Sequence, residues 1–115
     1  MRLVIAGGRE FSDYEFLKRE VDQFVLGAEE VIVISGKARG ADSLGEKYAK
    51  ERGYGLEDYP ANWKLFGKRA GFVRNRQMGE SADAVICFWD GYSKGTKHMI
   101  DLAKELDRKL LVVRY

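Results

Sequence analysis

Three short segments concentrate the residues able to hold an anion: Gly7-Gly8-Arg9, Ser35-Gly36-Lys37-Ala38-Arg39-Gly40 and Asp90-Gly91-Tyr92-Ser93-Lys94-Gly95-Thr96. Glycines let the backbone take positive φ and let a ligand come close, while free amides at a helix start present partial positive charge. Phosphate suits both features. Lys37, Arg39 and Lys94 add cations for charge-assisted hydrogen bonds. The spacing is neither the Walker A pattern nor the dinucleotide fingerprint G-x-G-x-x-G, so simple P-loop and NAD assignments fail. The alternative for any one segment is a tight strand-to-helix turn with no ligand. Three such segments, each following an apolar run, favour a shared site.

A fourth segment, Trp63 to Met78, mixes aromatic with basic side chains. Helical projection puts Gly67, Gly71, Arg74 and Met78 on one stripe, as in close packing beside a site. Arg74 and Asn75 then read as ligand contacts, with Lys64, Lys68 and Arg69 as a solvent-facing edge. A single-stranded nucleic-acid surface is the competing reading, because basic residues grip the backbone and aromatics stack on bases. Phe11, Trp63, Trp89 and Tyr92 flank the loops as stacking partners or as packing. The lone His98 falls in the first turn of the helix after Gly95-Thr96, where proton transfer is chemically available. The sequence offers no paired carboxylates at a joint site, no nucleophile beside a base and no metal-ligand cluster, so neither a metal nor a cofactor is expected. Cys87 lies in the apolar run 84–88 and reads as a buried structural thiol.

Such loops need a scaffold that brings them to one edge. Leu3–Ala6 and Val31–Ile34 are continuous apolar runs, suited to strands buried on both faces of a parallel sheet. Ser12 to Glu15 has capping-box spacing, and Phe16, Leu17, Val21, Phe24 and Val25 recur at helical intervals before a stop at Gly27. A second helix is predicted over 41–52, with Leu44, Tyr48 and Ala49 as its apolar stripe and Gly53 as its C-cap. A weaker strand spans 56–59, closed by Pro60, and 63–79 reads as a helix or a loop leading into one. A strand over 83–88, a helix over 96–106 and a strand over 110–113 complete the chain. Alternating strand and helix predicts an α/β fold: a Rossmann-like three-layer α/β/α sandwich with a five-stranded, mainly parallel sheet, residues 1–115 forming one domain. In such sheets the ligand crevice lies outside the strand carboxyl ends, where the rare residues fall.

Composition narrows the classes further. Of 115 residues 45% are hydrophobic and 33% charged, which excludes dominant disorder, and a formal charge of +2 excludes polyanion binding by bulk electrostatics. No apolar run approaches the roughly 20 residues needed to cross a bilayer, and the start lacks the apolar length of a signal peptide. With a single cysteine no internal disulfide can form. A soluble, cytoplasmic protein with no membrane partner is the expectation.

Taken together, Gly7-Gly8-Arg9-x-Phe11, Ser35-Gly36-x-Ala38-Arg39-Gly40-Ala41-Asp42, Pro60-Ala61-x-Trp63, Ala70-Gly71-x-x-Arg74-Asn75-x-x-Met78 and Trp89-Asp90-Gly91-x-Ser93-x-Gly95-Thr96 resemble the SLOG superfamily, in its short YspA-like branch. The resemblance runs from Leu3 to Val113. It implies a Rossmann-like sheet shared with LOG phosphoribohydrolases, DNA-processing Smf proteins and nucleotide-signal sensors of antiviral systems. It also implies a ligand site lined by Gly8, Arg9, the Ser35–Asp42 loop, Arg74, Asn75 and Ser93–Thr96. Two departures stand out. The order Gly95-Thr96-Lys97-His98-Met99 puts His98 where LOG enzymes carry a catalytic Glu, and Lys37 stands where the branch favours a second glycine.

The expected function is therefore binding of a nucleotide or nucleotide-derived phosphate ligand, such as an ADP-ribose-type signal, as a sensor, carrier or sequestering module. One alternative is a phosphoribohydrolase or N-glycosidase using Arg74 with His98 or Asp90 for proton transfer. The other is a single-stranded nucleic-acid binder. The resemblance further implies a homo-oligomer, with Trp63, Phe66 and Phe72 as interface candidates, and a place in antiviral signalling or counter-defence.

Overall fold

The chain alternates strand and helix as the apolar runs require. The computed structural model describes residues 1–115. In order they form β1 (Arg2–Gly7), α1 (Tyr14–Phe24), β2 (Ile32–Ser35), α2 (Ala41–Arg52), β3 (Gly55–Asp58), α3 (Trp63–Phe66), a 3₁₀ turn (Gly67–Arg69), α4 (Ala70–Ser81), β4 (Ala84–Trp89), α5 (Lys94–Glu105) and β5 (Lys109–Arg114). All five strands are parallel, in the order β3-β2-β1-β4-β5. This is the expected Rossmann-like sandwich.

Side chains alternate across the sheet, and each set meets its own pair of helices. Leu3, Ile5, Val33, Ile86 and Phe88 pack with Leu17 and Val21 of α1 and with Tyr48 and Ala49 of α2. Val4, Ala6, Ile34, Val85 and Cys87 pack with Met78 of α4 and with Met99, Ile100, Leu102 and Ala103 of α5. Burial on both faces is why β1, β2 and β4 read as unbroken apolar runs. No helix is long and apolar enough to cross a membrane.

Several local expectations shift. Asp13, not Ser12, caps α1: its Oδ1 accepts from the Phe16 amide at 3.1 Å, so the Ser12–Glu15 box does not form. That helix closes at Phe24, and Gly27, with φ of 86°, belongs to the following turn. Segment 63–79 is broken rather than continuous. Gly67 takes φ of 57° between α3 and α4, which removes it from the stripe it would share with Gly71, Arg74 and Met78. Helix α5 starts two residues before Thr96, with Ser93 as its cap.

The connections leaving β1 and β4 run to opposite faces of the sheet, and the crevice opens between those strands. Here the loops touch. Gly8 donates to the Phe88 carbonyl at 3.1 Å, and the Gly8 carbonyl accepts from Phe11 and Ala41, each at 3.2 Å. A Cβ on Gly7 would lie 2.4 Å from the Phe88 oxygen and 2.8 Å from the Ala41 Cβ. Gly40 adopts φ of 78°, and a side chain there would strike the Gly8 carbonyl at 2.3 Å. Farther down, Arg2 holds Glu57 through two bonds of 2.6 and 2.7 Å and donates to the Ser81 carbonyl at 2.7 Å, fixing the end of α4.

Gly7→Ala should therefore lower stability by about 1–3 kcal/mol, because the obstacle is backbone and has little room to relax. Urea unfolding should show a reduced midpoint with an unchanged slope.

Candidate functional site

Between the carboxyl ends of β1 and β4 lies a cleft of about 410 Å³, inside the roughly 300–1,000 Å³ range of small-molecule sites. Gly7, Gly8 and Arg9 form one wall, and Asp90, Ser93, Gly95 and Thr96 the opposite one. Asp42 and Ala38 enter from the second loop, and Arg74 and Asn75 from α4.

The start of α5 is shaped from within its own loop. Asp90 Oδ1 accepts from the amides of Tyr92 and Ser93, both at 2.8 Å, and these bonds hold its carboxyl below the usual range. Ser93 caps the helix, its Oγ receiving the Thr96 amide at 3.4 Å and lying 3.0 Å from the Thr96 hydroxyl. The amides of Lys94 and Gly95 have no protein partner. A Cβ built on Gly95 meets nothing within 4 Å, so the helix start is open at this cleft-lining residue.

Two cations share the cleft. Neither Arg9 nor Arg74 belongs to any of the ion pairs of the chain, which engage Arg2, Lys18, Lys37, Arg39, Arg52, Arg76 and Lys97. Arg74 is half-buried and held in place: its Nε donates to Asn75 Oδ1 at 3.1 Å and its Nη1 to the Gly36 carbonyl. Burial draws its pKa below the ordinary arginine value, though a guanidinium stays charged at any physiological pH. Asn75, 7% exposed, spends its amide on the Gly95 carbonyl at 3.3 Å and on His98 Nδ1 at 3.2 Å, joining α4 to α5.

Asp42 is the unusual acid. It is 6% exposed, and its Oδ2 accepts the Ala38 amide at 3.3 Å. Burial pushes its carboxyl up to about 6, against the pull of that bond and of Arg74. Cys87 behaves as a structural thiol, fully buried and pushed up to about 12 by burial.

Of the residues singled out from the sequence, Gly8, Arg9, Asp42, Arg74, Asn75, Asp90, Ser93, Gly95 and Thr96 come together on this cleft. The second loop is largely displaced. Ser35 is 1% exposed, its hydroxyl donating to Glu46 at 2.8 Å and accepting the Lys37 amide at 3.1 Å, so it contacts the loop and not the cleft. Lys37 turns to Glu46 at 3.1 Å and Asp58 at 3.7 Å, and Arg39 to Glu10 at 2.7 Å. Gly40 packs against the first loop. Gly36, Lys37 and Arg39 instead line a second hollow of about 380 Å³ with Pro60 and Trp63, and that hollow shares Arg9, Ala38 and Arg74 with the cleft.

The two proton-transfer candidates also shift. His98 does not line the cleft: it sits beyond Asn75, edge-on to Phe72 at 4.6 Å, near Arg69, Arg76 and Glu80. Burial and Arg76 lower its pKa, in keeping with the neutral Nδ1 that faces the Asn75 amide. Asp90 lines the cleft but serves as a loop clamp. Phe11 is buried against Phe88 and Tyr115, whereas Trp89 donates to the Ser93 carbonyl at 3.0 Å. Tyr115, absent from the sequence reading, lines the cleft over Gly8. Its signal was available, since it follows β5 at the same carboxyl edge. No three His, Cys, Asp or Glu side chains gather in a way that could hold a metal ion.

Comparison with known proteins agrees with this fold. The family model described as YAcAr, the YspA, cpYpsA-related SLOG family, matches residues 1–66. Gene 61 protein of Mycobacterium phage D29 is 32% identical over 114 residues, spanning 90% of this chain and 89% of that protein. The chain belongs to this SLOG family. Among solved structures, DNA processing protein A (DprA) from Streptococcus pneumoniae superposes with a TM-score of 0.75 at 18% identity. DprA from Helicobacter pylori, described for its single-stranded DNA binding mode, gives 0.63 at 20% identity. Each match covers 97% of this chain but only 49% and 64% of those proteins, so the likeness is one of fold. Within the SLOG chain, Arg74, Asn75 and the α5 start all lie beyond the 1–66 match.

Asp42 sets a pH dependence with a definite sign. Its folded pKa is raised, so the stability it contributes is complete below its unfolded value of 3.8 and is lost as pH rises through about 6. Asp42→Asn should consequently gain stability over the parent between pH 4 and 8, reaching on the order of 2–3 kcal/mol. Chemical unfolding across that range measures it; a constant difference would show that the carboxyl titrates normally.

Proposed function

We propose that this SLOG protein binds a nucleotide or nucleotide-derived phosphate ligand in the β1–β4 cleft. The observation that carries the reading is the start of α5, where two unpartnered amides share a cleft with two arginines that form no ion pair. A helix start and unpaired guanidinium groups are the elements that bind phosphate. The protein acts as a sensor, carrier or sequestering module, and a ligand of the ADP-ribose type fits the class. Cleavage of an N-glycosidic bond is the weaker reading, because His98 lies outside the cleft and one oxygen of Asp90 is held by two amides. Likeness to a phage protein supports a place in signalling or counter-defence between phage and host. The protein works in the cytoplasm as a single domain, and exposed Trp63 and Phe72, with Phe66 half-buried beside them, offer a surface for self-association.

Titration calorimetry with nucleoside 5′-diphosphates, NAD and ADP-ribose tests the site. Gly95→Asp should keep the fold and reduce affinity about 100-fold, because its carboxylate takes the amides a phosphate would use and repels the anion. Arg39→Ala should leave affinity within about twofold, since that side chain is solvent-exposed and already paired. Full affinity in Gly95→Asp would remove the α5 start from the site.

A second reading, single-stranded nucleic acid, is favoured by one observation. The second hollow continues the cleft through Arg9 and Arg74 and ends on Trp63, which is 54% exposed, giving a cationic track with an aromatic platform. The single-stranded DNA binding of the Helicobacter pylori neighbour supports it. Trp63→Ala should then weaken oligonucleotide binding roughly 10- to 100-fold while sparing mononucleotides. Equal loss for both, or for neither, rejects a stacking role.

A further inference from the structure

A carboxylate at the floor of an anion cleft needs an explanation. Asp42 is 6% exposed, forms no ion pair, and its negative charge opposes any phosphate bound nearby. Only Oδ2 is used, by the Ala38 amide. No fully occluded side-chain oxygen or nitrogen in the protein lacks a partner, so Oδ1, which takes no bond, opens to the cleft that Asp42 lines. Gly36 makes room for this arrangement: a Cβ there would lie 2.8 Å from Asp42 Oδ2 and 2.8 Å from Arg74 Nη1. The carboxylate and the guanidinium thus crowd one small residue, each kept available on the cleft side.

An open carboxylate oxygen in a dry place accepts hydrogen bonds and rejects anions. The part of the ligand beside it must therefore be a hydrogen-bond donor close to phosphate. In a nucleotide the hydroxyls of the sugar answer that description, while the base lies beyond the sugar. We propose, building on the phosphate-cleft reading above, that Asp42 recognises the ribose diol, so that the cleft selects ribonucleotides over their deoxy counterparts. Arg9, Arg74 and the α5 start take the phosphate, and Asp42 reads the sugar attached to it.

The test is calorimetry with the four ribonucleoside 5′-diphosphates and their 2′-deoxy and 2′,3′-dideoxy forms, on the intact protein and on Asp42→Asn. Loss of a hydrogen bond to a charged group should lower affinity about tenfold at each deoxygenation. Asp42→Asn, which keeps an acceptor for the Ala38 amide, should melt at the same or a higher temperature and bind all three sugar forms within about threefold of one another. Equal binding of the three by the parent protein overturns the ribose role and leaves the phosphate cleft standing. So does an Asp42→Asn variant that loses affinity while keeping the ribose ranking, which is the result of a purely structural Asp42. Binding of none of these compounds overturns the cleft reading along with it.

Discussion

The site depends on a contact in which no side chain takes part: the turn after β1 lies directly against the carbonyl of Phe88 at the end of β4. Where two adjacent parallel strands send their helices to opposite faces, the connections diverge beyond the strand carboxyl ends. How near their loops remain determines whether the gap is a shallow notch or a walled cleft. Here Gly7 permits direct backbone contact, the Gly8 carbonyl gathers the amides of Phe11 and Ala41, and Gly40 lets the second loop settle on the first. Arg9, Asp42 and the α5 start converge because those backbones touch.

Alternation of apolar runs with helical stripes made the fold legible. The burial of β1, β2 and β4 on both faces leaves unbroken hydrophobic runs in the sequence, and α2 ends where Gly53 adopts φ of 70° as a C-cap should. Boundaries were harder wherever two polar residues competed for one role. Ser12 and Asp13 are both good caps, and the backbone bond from Tyr14 to the Ser12 carbonyl, at 3.0 Å, leaves the cap to Asp13. The break at Gly67 was hidden because a glycine at helical spacing looks the same whether or not its φ is positive.

The position of the candidate cleft could be read from where the rare residues lay, but the contacts each one makes could not. Charge type says nothing of direction, and Lys37 and Arg39 follow Glu46, Asp58 and Glu10, partners distant in sequence or on another loop. Arg74 and Asn75 were recognisable as a pair, yet their division of labour depends on Gly36 and His98, which only the folded chain brings near. Tyr115 reaches the cleft through the register of the edge strand β5 against β4, a relation with no local signature.

The paired cations on the second loop have a consequence for how a ligand arrives. Lys37 and Arg39 are taken up by Glu46 and Glu10, and Arg9 and Arg74 share the cleft with Asp42 and Asp90, so any field is local on a chain of net charge +2. At physiological ionic strength such a field fades within about 8 Å. Encounter with the phosphate ligand proposed above is then governed by ordinary diffusion. For the ligand proposed above, affinity then rests on how long it stays rather than on how fast it is drawn in.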